Sequence, residues 1–75
     1  MNKRQTAADM IESRLAALEA GNDSPRLHGE ADIATEMAYI FGAISCSQYH
    51  DYVARRARVV SRESEEFLER IRGAA

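Results

Sequence analysis

Eight residues, Gly42-Ala43-Ile44-Ser45-Cys46-Ser47-Gln48-Tyr49, constrain this chain more than any other stretch. A glycine readily takes the left-handed conformation that ends an α-helix. Ser45 fits the cap of a following helix, where its hydroxyl accepts a hydrogen bond from an otherwise unpaired backbone N–H. Gln48 can reach back to the N–H of Ser45 and complete a reciprocal capping box, with Ile44 and Tyr49 in the two positions of a hydrophobic staple. All four choices mark one boundary, so the chain is expected to turn sharply here between two helices.

Upstream, Thr6 is expected to cap a first helix over about residues 6–20, with Asp9 as a weaker box partner. Ala7, Ile11, Leu15 and Leu18 recur at spacings of four, four and three, which marks one helical face. Gly21 is the expected stop, and Asn22, Asp23, Ser24 and Pro25 form a loop. Ser24 and Pro25 suit the start of a second helix over about 25–41, although Gly29 leaves open a start at Glu30. That helix carries Ile33, Met37, Ile40 and Phe41 on one face, with Ile44 beyond its end. Ala31, Thr35, Ala38, Tyr39 and Gly42 share another face of mostly small groups. A helix that is apolar or small nearly all round is expected to be central.

The third helix is expected over about 46–72, stopped by Gly73, with Tyr49, Tyr52, Val53, Val60, Phe67 and Ile71 along one face. Folding back at the corner would place Met37 opposite Tyr52 or Val53, and Ile33 opposite Arg56. The longer third helix then leaves Phe67, Leu68 and Ile71 past the end of the second. The expected fold is all-α in one domain, residues 1–75: a short N-terminal helix packed across a long antiparallel helical hairpin.

The corner resembles those of short helical oligomerisation domains of the SHOCT type and of unrelated helical hairpins. That resemblance covers eight residues and implies a turn, with no function attached.

Val, Ile, Leu and Phe number only 14 of 75 residues, and alanine supplies much of the remaining apolar content. So small a core commonly gains stability from a second copy or a larger partner. The formal charge of −2 is too low to favour disorder. A single cysteine, Cys46, permits no internal disulfide, and no apolar run approaches the ~20 residues that span a bilayer. A cytoplasmic protein with no membrane association is expected.

No catalytic machinery is legible. Cys46 and His50 stand four apart on a helix, but no third group orients them and no oxyanion donors accompany them. His28 and His50 lie on different elements, so no metal set forms, and no cofactor is expected. Arg55, Arg58 and Arg62 are the candidates for nucleic-acid contact in a helix-turn-helix reading. Against that reading, Gln48 and Asp51 occupy positions where such a second helix wants apolar residues, and the chain is slightly acidic. The arginines are expected on a solvated mixed-charge side, with Asp51–Arg55 and Arg62–Glu66 pairs.

The favoured expectation is a non-catalytic helical module that binds a protein partner, itself, or both, by occlusion or bridging. Its candidate interface residues are Tyr39, Arg56, Glu63, Phe67, Leu68 and Ile71, and its candidate surfaces are the end of the third helix and the small-residue side of the second around Tyr39. Arg56 and Glu63 interrupt the apolar stripe, either as a register-setting pair or as edge groups reaching water. Stand-alone chains of this size are common among phage and plasmid accessory products, including inhibitors of host defence.

Overall fold

A computed structural model describes residues 2–22 and 24–74; Asp23 of the first loop and the terminal Met1 and Ala75 lie outside them. The described residues form three helices and no strand: α1 Lys3–Glu19, α2 Pro25–Ile40 and α3 Cys46–Ala74. The all-α expectation holds. The molecule measures 52 × 20 × 15 Å, its length set by α3.

Helix α1 begins three residues earlier than expected. Asn2, an equally good cap, accepts from the backbone N–H groups of Arg4 and Gln5. Thr6 lies inside the helix, where its hydroxyl donates back to the Asn2 carbonyl. Asp9 accepts from the Gln5 amide. The start of α2 is Pro25, and Gly29 is absorbed within it. Ser24 holds the cap position without a side-chain capping bond. Gly73 does not stop α3, which continues to Ala74.

The other two predicted glycine stops, Gly21 and Gly42, are realised. Gly21 has φ +108° and Gly42 has φ +74°. At each, the glycine N–H and the next N–H donate back across the last turn: Gly21 to the Leu18 carbonyl and Asn22 to that of Ala17, then Gly42 to Tyr39 and Ala43 to Ala38. This pattern satisfies carbonyls that a helix end leaves unpaired. The capping box is reciprocal, with the Ser45 N–H donating to Gln48 Oε1 (2.8 Å) and the Gln48 N–H donating to Ser45 Oγ (3.1 Å). Ile44 is buried, and Tyr49 packs against the cluster that contains it, as a staple requires.

Ile11, Leu15 and Leu18 of α1 are the largest fully buried side chains. Burying one such group stabilises by about 1.5–3 kcal/mol. Opposite them stand Ala31, Thr35 and Ala38 of α2, with Tyr52 and Val59 of α3 closing the third side. Thr35 is tolerated there because its hydroxyl donates to the Ala31 carbonyl at 2.7 Å.

The facing of α2 differs from expectation. Ile33, Met37, Ile40 and Phe41 are exposed, and the small face is the buried one. Small side chains let helix axes approach closely, so the long residues of α1 fill the space that α2 leaves. On α3, Val53 and Val60 are likewise exposed, whereas Val59, outside the expected stripe, is buried. Met37 therefore does not meet Tyr52 or Val53 in the core. Arg56 approaches Asp32, the neighbour of the expected Ile33, at 4.0 Å.

Candidate protein interface

Helix α2 presents four large apolar residues to solvent at spacings of four, three and one. Ile33 is 62% exposed, Ile40 70% and Phe41 73%, with Met37 beside them. Met10 of α1 is also exposed and borders the same surface. Between the two helices runs an open cleft of about 430 Å³, floored by Ala7, Ala34, Ala38 and Ala43 and walled by Met10, Met37 and Phe41, with Lys3 at its edge. A second cleft of about 500 Å³ shares Met10 and Ala34 and continues past Ile33 to Gly29, between Arg14, Arg26 and Glu30. An apolar surface rimmed by polar groups is the form that protein-binding faces take.

Phe67, Leu68 and Ile71 of α3 are exposed, as expected from a helix that outruns its neighbour. Tyr39 is also part-exposed. Its ring stacks on Tyr49 at 4.7 Å between centroids, which pins α2 to the first turns of α3. The neighbouring Cys46 side chain raises its phenol above the ordinary tyrosine value. Cys46 itself is a free, exposed thiol.

The remaining candidates serve the fold. Arg56 and Glu63 both reach α2: Arg56 toward Asp32, and Glu63 with both carboxylate oxygens 3.2 Å from His28 Nε2. They are half-buried at the α2–α3 seam, so they help set the register of α2 against α3 within one chain.

The mixed-charge side is solvated as expected, but α1 reaches its border: Arg55 is half-buried against α1, and Arg62, though exposed, also turns toward it. Arg55 reaches Glu12 at 2.7 Å and Glu19 at 2.8 Å instead of Asp51. Its guanidinium holds the Glu19 carboxyl below the ordinary range, and the two carboxylates hold Arg55 more firmly protonated. Arg62 donates to the carbonyls of Leu18 (3.1 Å) and Glu19 (3.0 Å), the last turn of α1. The expected Arg62–Glu66 pair is present at 3.9 Å. Of the three arginines, Arg58 alone makes no hydrogen bond or ion pair among the described residues.

Sequence reasoning thus placed the α3 end correctly on the surface and missed the α1–α2 face, having assigned its residues to the core. The pattern that could have found it is the Ala31, Thr35, Ala38 stripe, which matches the large Ile11, Leu15, Leu18 stripe of α1 in length and complements it in size.

Among the described residues no group of three or more His, Cys, Asp or Glu could hold a metal. No described helix is long and apolar enough to cross a membrane. No family model, curated protein or solved structure matches the chain.

Proposed function

We propose that the chain is a non-catalytic helical binding module whose α1–α2 face docks on a larger protein, covering or bridging a surface there. The observation that carries this reading is the exposure of Ile33, Met37, Ile40 and Phe41 on one side of a helix whose other side is buried. Leaving them in water forgoes about 25 cal/mol for each Å² of apolar area, which a complementary partner recovers. Their spacing suits a groove or a flat helical surface on that partner. The Arg55 and Arg62 contacts to α1 draw two of three cations away from a nucleic-acid role.

The test is affinity capture with matched variants. Wild-type protein should retain a partner at fixed stoichiometry, and the Ile33→Ser/Ile40→Ser double variant should lose it while keeping its helical circular dichroism. Equal capture by both proteins would overturn the reading.

A further inference from the structure

We infer that α3 carries a second binding face, and that its occupant is another copy of this chain paired antiparallel through α3. The inference rests on reading exposed apolar faces as binding faces, but it uses a different helix from the proposed partner site. Val53, Ala57, Val60, Ser64, Phe67 and Ile71 follow one another at spacings of four, three, four, three and four. Alternating threes and fours form the seam of a two-stranded coiled coil. All six positions are exposed, so none of the described residues covers the seam.

The order of sizes along the seam selects the occupant. With two copies antiparallel about a two-fold axis near Arg62, Phe67 of each copy faces Ala57 of the other. In the same register Val60 faces Ser64 and Ile71 faces Val53. Every layer then joins a larger side chain to a smaller one, as close packing requires. A parallel pair would set Ala57 on Ala57 and Ser64 on Ser64, leaving voids, and would crowd Phe67 on Phe67.

Along the edge of the seam away from α2 stand the uncharged Ala54, Ser61 and Leu68, which put no like charges in the way of the pair. On the edge toward α2, Arg56 and Glu63 are already engaged by Asp32 and His28 of their own chain. An isologous two-fold contact of this kind uses the same patch on both copies and closes without further growth.

Two single-cysteine variants in a Cys46→Ser background test the register by air oxidation. Ser61 lies beside the two-fold axis, so Ser61→Cys should give a disulfide-linked dimer. Ala57→Cys should not, because residue 57 faces Phe67. Light scattering on the purified wild-type chain should show a dimer, and Val60→Glu should weaken it by on the order of a hundredfold while its helical signal persists. The Ile33→Ser/Ile40→Ser variant should remain dimeric, which separates this face from the partner face. A monomeric wild-type chain, linkage through Ala57→Cys, or loss of the dimer on changing Ile33 and Ile40 would each overturn the proposal.

Discussion

The two sides of α2 invert the usual relation between hydrophobicity and burial. Inside are Ala31, Thr35 and Ala38, and outside are Ile33, Met37, Ile40 and Phe41. The inner side is selected by distance, because only short side chains let α2 approach α1 and α3 closely enough for Ile11, Leu15 and Leu18 to fill the space. The outer side has no such restriction, and its bulk suits a surface that another molecule completes. Size thus distinguishes the two sides where hydropathy ranks them the wrong way round.

That contrast can be broken by substitution. The largest effect is expected inside, where Ala31→Leu forces a long side chain into a filled contact and should cost about 2 kcal/mol in denaturant unfolding. An Ala31→Leu protein as stable as wild type would mean that the inner side is not close-packed. At the corner that holds α2 against α3, Ser45→Ala removes a cap and should cost about 1 kcal/mol.

Gly29 sits on the outer surface with nothing within 4 Å of where a Cβ would stand. Gly29→Ala should therefore stabilise α2 by up to about 1 kcal/mol, read as a higher melting temperature. Ile40→Ser, at the most exposed part of the outer side, should change monomer stability by less than about 0.5 kcal/mol while abolishing partner capture. A large loss of stability there would place Ile40 in the core after all.

The α1–α3 tie adds a dependence on pH. Because Glu19 has a lowered folded-state value, its stabilising contribution is complete above the ordinary carboxylate range and is lost as pH falls through the lowered value. Acid unfolding of an Arg55→Met variant should show a smaller drop across that window than wild type.

Local chemistry was the legible part of this chain. Gly21, Gly42 and the Ser45–Gln48 box act within a few residues, so their roles could be read without knowing the fold. The Ile11, Leu15, Leu18 stripe was equally clear because only one face of α1 is apolar. Helix α2 offered two candidate faces, and hydropathy favoured the wrong one, since the choice depends on interhelical distance. The Arg55 and Arg62 contacts were hidden for a related reason: i,i+4 spacing shows partners on the same helix, whereas theirs lie on α1. Phe67, Leu68 and Ile71 were placed correctly because that argument needed only the lengths of α2 and α3.

Arg62 meets the carbonyls of Leu18 and Glu19 from 44 and 43 positions further along the chain. On a ribosome, α1 and its glycine stop emerge early, but this contact cannot form until most of α3 has followed. The hairpin corner needs only its neighbours and can form beforehand. Biosynthesis therefore sets an order in which α2 can cover the Leu15 face of α1 first, and α3 locks the end of α1 only afterwards.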